Sequence, residues 1–160
     1  MLERVQRRAT KFILSDYNSD YKSRLCSLNL LPLMMHYEIL DIAFFLNSMT
    51  STSTPFDILN YVSFITGSSR AANLNKLKHC SSNTKAIGHS YFHRLPRLWN
   101  ALPAIVQHQS VPSILAKLKK FFWAHFLDNF LNENVCSYHF LCPCHKCSNT
   151  PTPVNYSLLS

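Results

Sequence analysis

Between residues 136 and 147 the chain reads Cys136-Ser-Tyr-His139-Phe-Leu-Cys142-Pro-Cys144-His145-Lys-Cys147. Four thiols and two imidazoles within twelve residues rarely arise from composition alone. The chemistry they could do is metal ligation. Zinc takes four nitrogen or sulfur donors in a tetrahedron, and two ligands separated by two residues chelate it from one tight turn. Cys144 and Cys147 form such a pair, and Cys136 with His139 forms another. Cys142 can replace either His139 or Cys144. The ligand set is therefore drawn from Cys136, His139, Cys142, Cys144 and Cys147, and one zinc ion is the expected cofactor. The alternative is a metal-free tail. Cys26 and Cys80 stand alone and read as packing residues.

The second kind of chemistry is electrostatic. The formal net charge is +8, and no acidic residue occurs between Asp57 and Asp128. That stretch holds Arg70, Lys76, Lys78, Lys85, Arg94, Arg97, Lys117, Lys119 and Lys120. A segment of one sign repels itself, so an anionic partner is the natural counterpart. RNA or DNA is the leading candidate and an acidic membrane surface the weaker one. At the N-terminus Arg4, Arg7, Arg8 and Lys11 fall on one side of a predicted helix, opposite Leu2, Val5, Ala9, Phe12 and Ile13. Such a strip can lie along a phosphate backbone. In residues 89–102, Tyr91, Phe92 and Trp99 alternate with Arg94 and Arg97. Aromatic rings there could stack bases while the cations hold phosphates. The competing expectation, favoured for the rings, is that Phe92, Leu95, Leu98, Trp99 and Leu102 face a core. For the cations it is a solvated basic surface.

Several classes are excluded or disfavoured. The only glycines are Gly67 and Gly88. They cannot form a P-loop, a dinucleotide fingerprint or a nucleophile elbow, each of which needs several glycines close together. No apolar run approaches the roughly 18 residues of a membrane span. Glu3, Arg4, Arg7 and Arg8 open the chain without an apolar segment of the secretory type. A nuclear or cytoplasmic, reducing location is expected, with no membrane.

These groups must be positioned by helices. The apolar fraction is 47% and charged residues make up 15%, a globular composition. Helices are predicted over residues 1–14, 21–28, 33–49 and 111–131, the last capped by Ser110 with Pro112 in its first turn. Residues 33–49 are apolar around most of the circumference and should form the central core element. Asp16 and Asp20 read as turn and cap residues. A short helix is expected over residues 56–62. Residues 67–87 read as a long basic loop with extended pieces near Asn73 to Leu77 and Thr84 to Ile87. Pro96 limits a helix that begins before it. The expected fold is mainly α: a small irregular helical bundle over residues 1–131, followed by the Cys/His-rich tail of residues 132–160.

Three of these blocks resemble one family. Leu2-Glu-Arg-Val-Gln-Arg-Arg-Ala-Thr-Lys-Phe-Ile13 is similar to the helix that follows the polymerase core in jockey-like, non-LTR (LINE) retrotransposon reverse transcriptases. Tyr21-Lys-Ser-Arg-Leu-Cys-Ser-Leu-Asn-Leu-Leu-Pro-Leu33, with Tyr37 to Phe45, resembles their next block. Ser90-Tyr-Phe-His-Arg-Leu-Pro-Arg-Leu-Trp-Asn-Ala-Leu-Pro103 resembles their late aromatic-basic block, and the cysteine tail is similar to that of some members. The resemblance implies a parent that copies RNA into DNA, with polymerase and endonuclease regions before this one. The family's Tyr-x-Asp-Asp motif is not in this sequence, and Asp16, Asp20, Asp41, Asp57 and Asp128 are scattered. Two-metal polymerase chemistry needs clustered carboxylates. No catalytic residue is expected here. What the resemblance leaves is a region contacting nucleic acid and the polymerase portion, or a translated fragment whose apolar faces packed on that portion. A small zinc-dependent protein-interaction module is the remaining alternative.

Overall fold

The computed structural model describes residues 2–50, 57–65, 76–79, 90–103 and 111–129. Among them are five α-helices: α1 (Leu2–Leu14), α2 (Tyr21–Ser27), α3 (Leu33–Thr50), α4 (Tyr91–Ala101) and α5 (Val111–Asp128). A 3-10 turn covers Ile58–Asn60. The protein is mainly helical. It divides into two compact units, residues 1–38 with 119–160 and residues 39–118, and the divisions fall inside α3 and α5.

In the first unit α1 packs against α2. With so few glycines, its helix ends are closed by other residues in left-handed conformation. At the end of α1 Ser15 has φ 50°. The Asp16 N–H donates to the Lys11 carbonyl at 3.1 Å and that of Ser15 to the Phe12 carbonyl at 3.3 Å. At the end of α2 Asn29 has φ 53°, with Leu30 N–H donating to the Leu25 carbonyl at 2.9 Å and Asn29 N–H to that of Cys26 at 3.0 Å. Both are Schellman closures, which satisfy carbonyls that the last helical turn leaves open. Asn tolerates this conformation; serine gains nothing from its Cβ there. Ser15→Gly is therefore expected to raise stability by about 0.5–1 kcal/mol. A denaturant midpoint that is unchanged or lower in the variant would show that Ser15 is not held at positive φ.

Asp16 accepts from the N–H groups of Asn18 and Ser19, both at 3.0 Å, and Asp20 caps α2 by accepting from Ser23 N–H at 3.1 Å. Hydrogen bonds from Ser19 and Ser23, respectively, hold the two carboxyls below the usual range. The turn and cap roles expected of these aspartates are the ones they fill.

The link from α2 to α3 is tied to α1 by one side chain. Gln6 donates from Nε2 to the Leu31 carbonyl at 3.0 Å, and its Oε1 accepts from Leu33 N–H at 3.0 Å. The Tyr21 hydroxyl lies 2.7 Å from that oxygen and 2.7 Å from Glu3 Oε1. Having one proton, it donates to one of them at a time. Arg24 is buried, with Nε donating to Thr10 Oγ1 at 3.4 Å and a second bond to the Ser19 carbonyl. The face of α1 turned inward thus carries Gln6 and Thr10, not its apolar residues. Leu2, Val5, Phe12 and Ile13 are 55, 60, 79 and 62% exposed.

In the second unit the buried side chains include Ile39, Ile42, Phe45, Ile58, Leu77, Leu95, Trp99, Ile114 and Leu118. Phe45 and Trp99 meet edge to face at 5.0 Å. α3 is less enclosed than its composition suggests: Leu40 and Phe44 are exposed, while Met35, Ile39, Ile42 and Phe45 are buried. The helix expected over residues 56–62 is reduced to the 3-10 turn, capped by Asp57 accepting from Leu59 N–H at 3.0 Å. Of the long basic loop, residues 76–79 are described. There Leu77 pairs with Phe64 in an antiparallel bridge, while residues 73–75 and 84–87 of the two expected extended pieces lie outside the described residues. The two bridge bonds, Ile65 N–H to Lys76 O and Lys78 N–H to Ser63 O, are both 2.8 Å. In this pattern Leu77's own N–H and C=O point away from Phe64. The Asn100 side-chain amide takes both: its Oδ1 accepts from Leu77 N–H at 2.8 Å and its Nδ2 donates to Leu77 O at 2.9 Å.

Helix α4 follows Ser90 at its N-cap and runs through Pro96, which is buried within it. Proline removes one helical hydrogen bond at that point, to the Phe92 carbonyl. Burial of Leu95, Leu98 and Trp99 on one side of α4 outweighs that local loss. α5 ends at Asp128, three residues before the expected end; Ser110 lies outside the described residues.

Candidate nucleic-acid interface

Three of the four cations expected on α1 are exposed, Arg4, Arg7 and Arg8, and Lys11 is half-buried. At about 100° per residue they occupy an arc roughly 100° wide. The inward residues Gln6 and Thr10 lie on one side of that arc, and the exposed apolar stripe on the other. The arc is not equally unengaged. The Arg7 guanidinium lies 4.7 Å over the centre of the Tyr21 ring, a cation–π contact that ties it to α2.

The aromatic-basic block of α4 is organised differently from a base-stacking platform. Tyr61 stacks on Phe92 at 5.0 Å and 18° between planes, and Phe44 meets Tyr91 edge to face at 5.5 Å. Trp99 is buried against Phe45. Leu95, Leu98, Trp99 and Leu102 are buried as the core expectation had it, whereas Phe92 and Tyr91 are half-buried against the exposed rings of Tyr61 and Phe44. Arg94 donates to Asp41 Oδ2 at 2.7 Å. Tyr91 donates from its hydroxyl to the Asp41 backbone carbonyl at 3.2 Å. Burial and then the Asp41 charge hold the Tyr91 phenol well above its ordinary range, with Arg94 opposing. A half-exposed pair such as Arg94–Asp41 contributes about 0–1 kcal/mol, but it lowers the charge this block offers to a phosphate. Arg97 is exposed.

On α5, Lys117 is half-buried and Lys119 and Lys120 are exposed. Lys119 and Lys120 line an open pocket of about 410 Å³ with Asn29, Leu30, Leu31, His36 and Trp123. Trp123 is half-buried with its ring 5.7 Å from that of Phe126. Sequence reading singled out the two lysines and passed over Asn29, His36 and Trp123. The signal was the i, i+4 spacing of Lys119 and Trp123, which places them on one helix face.

Farther along α5, His125 is buried and Asn129 Nδ2 lies 3.2 Å from its Nε2. An amide N–H donor makes Nε2 the acceptor of a neutral ring. Burial lowers the His125 pKa from 6.5, against the opposing charges of Asp128 and Glu38. A base with a depressed folded pKa contributes stability that is complete above the unfolded value and lost as pH falls through the folded one. Thermal stability is expected to decline as pH drops below about 6.5, and more shallowly in His125→Leu. Identical pH profiles for parent and variant between about pH 7 and 5 would refute the assignment.

Among the described residues no group of three His, Cys, Asp or Glu side chains is placed to hold a metal ion. The proposed ligands Cys136, His139, Cys142, Cys144 and Cys147 lie outside the described residues. No helix among the described residues is long and apolar enough to cross a membrane. Compared with protein-family models, curated protein sequences and solved structures, the chain matches none.

Proposed function

We propose that this chain is the C-terminal, post-polymerase region of a non-LTR retrotransposon reverse transcriptase, and that its activity is to bind RNA or DNA through backbone charge. The observation that carries the binding is the cationic arc of α1, which faces outward because Gln6 and Thr10 make the inward contacts. The origin rests on the three sequence blocks that resemble the family. Polymerase chemistry is not part of the proposal: Asp16, Asp20 and Asp57 are occupied with turns and caps, and Asp41 with Arg94. The tail thiols would add one zinc ion, which metal content per purified chain tests directly.

Binding through phosphates releases counterions, so the logarithm of the affinity should fall linearly with the logarithm of salt, by about 0.9 per contacted phosphate for duplex DNA. Fluorescence anisotropy of labelled single-stranded RNA and duplex DNA over a salt series tests this. A slope near zero, or no binding at about 0.05 M salt, overturns the proposal.

A second reading is favoured by the exposed stripe of Leu2, Val5, Phe12 and Ile13. Apolar groups in a row on one helix face mark a surface built to be covered. In a reverse transcriptase the polymerase portion would cover it, and the chain alone would be a fragment without activity. That reading expects concentration-dependent association, relieved by Phe12→Ser, and no salt-sensitive binding.

A further inference from the structure

We propose that the pocket lined by Asn29, Leu30, Leu31, His36, Lys119, Lys120 and Trp123 is a site for one unpaired nucleotide, a nucleobase with its phosphate. The inference rests on the nucleic-acid reading above and adds to it a place where a base, not only a backbone, is held.

The pocket is assembled from two local features. The Schellman closure after α2 turns the chain at Asn29, in left-handed conformation, and sets Asn29, Leu30 and Leu31 in the lining. His36 follows in the first turn of α3, its N–H donating to the Pro32 carbonyl at 3.1 Å. The other contribution is α5, where Lys119 and Lys120 precede Trp123 by four and three residues and so flank it on one face. Phe126, fully buried, lies against the Trp123 ring and steadies it.

The chemistry of the lining is selective. A volume of about 410 Å³ falls within the roughly 300–1,000 Å³ of small-ligand sites. Among the described residues no carboxylate lines it, so none of them competes with an anion for the two ammonium groups. An indole offers a flat π surface, on which any base stacks without sequence preference. Leu30 and Leu31 add apolar surface beside it, on which the flat of a base can also rest. The Asn29 amide carries both a donor and an acceptor, which suits the edge of a base. A fatty carboxylate would use one cation and leave the second ammonium and the amide idle. A duplex would present no free base to the ring. An unpaired nucleotide uses all of them.

The test is tryptophan emission of the full chain titrated with a short oligouridylate, with uridine monophosphate, and with duplex DNA. The chain has two tryptophans, and Trp99 is buried at 3% exposure, so quenching by a stacked base reports Trp123. Oligouridylate should quench the parent and not Trp123→Phe. Trp123→Ala should weaken oligouridylate binding about tenfold and leave duplex binding unchanged. The double variant Lys119→Gln, Lys120→Gln alters exposed side chains only and should weaken oligouridylate binding by a similar factor. Quenching by uridine monophosphate at comparable concentration would identify a free nucleotide as the occupant; quenching by the oligonucleotide alone would identify a strand. If oligouridylate binds with Trp123 emission unchanged and the Trp123→Ala affinity intact, the pocket is not a nucleotide site, while the nucleic-acid reading stands. If neither oligouridylate nor duplex binds at low salt, both fall.

Discussion

A variant carrying Arg4→Gln, Arg8→Gln and Lys11→Gln is expected to lose about 2.7 from the salt slope of duplex DNA binding. Each neutralised phosphate contributes about 0.9 to that slope, and the three side chains lie on one outward arc of α1. Between about 0.05 and 0.2 M salt the parent should then lose about 40-fold more affinity than the variant. Arg7 is left out of this set because its guanidinium lies over Tyr21. Arg7→Gln should instead show a loss of about 0.5–1 kcal/mol in folding stability and a smaller change in slope. Glutamine keeps the helix propensity of α1, so the triple variant should fold as the parent does. An unchanged slope in a folded triple variant would mean that α1 does not meet the phosphates. Binding that persisted would then have to be assigned to other cations, Arg97, Lys119 and Lys120 first among them.

Asn100→Ala is expected to cost about 3 kcal/mol of folding stability. Leu77 is fully buried, and the bridge to Phe64 leaves its N–H and C=O facing the other way. Asn100 satisfies both, acting as a one-residue strand beside Leu77. Its truncation leaves two buried backbone groups without partners, each costing about 1–3 kcal/mol. Urea unfolding followed by far-UV circular dichroism gives the value, with an unchanged slope showing that the same surface is exposed. Asn100→Asp offers a sharper comparison. It keeps the acceptor for Leu77 N–H but sets a carboxylate oxygen against Leu77 O where the amide Nδ2 lies at 2.9 Å, so its loss should equal or exceed that of Asn100→Ala. A cost below about 1 kcal/mol for Asn100→Ala would show that water reaches Leu77 and that the amide clamp contributes little.

Much of the helix content was legible in local signals. Asp20 sits where an N-cap belongs and accepts from Ser23 N–H; the apolar spacing of α3 and α5 marks both helices to within about three residues. Cap and period act within one or two turns of chain, and a short window of sequence contains them. The candidate site was legible only as a set of charges. Lys119 and Lys120 could be marked as cations, but their neighbours Asn29 and His36 are roughly eighty to ninety residues away in the chain. Nothing in the spacing of Arg94 says that Asp41, fifty-three residues earlier, would pair with it.

The amino-acid sequence by itself determined that the chain is helical and strongly basic, because propensity, capping and charge are properties of residues and their immediate neighbours. Which face each helix buries was decided by the tertiary structure. α1 is the clearest case: its amphipathic pattern points to Leu2, Val5, Phe12 and Ile13 as the inner face, and the inner face is instead Gln6 and Thr10. Gln6 satisfies backbone groups around Pro32, and Thr10 meets the buried Arg24, so turning α1 over would strand those polar groups without partners. Pro96 is the second case, since burial of Leu95, Leu98 and Trp99 carries α4 through a residue that would stop an isolated helix. In both, interactions between distant parts of the chain outweigh a local preference of about 1–3 kcal/mol, and no window of neighbouring residues contains them.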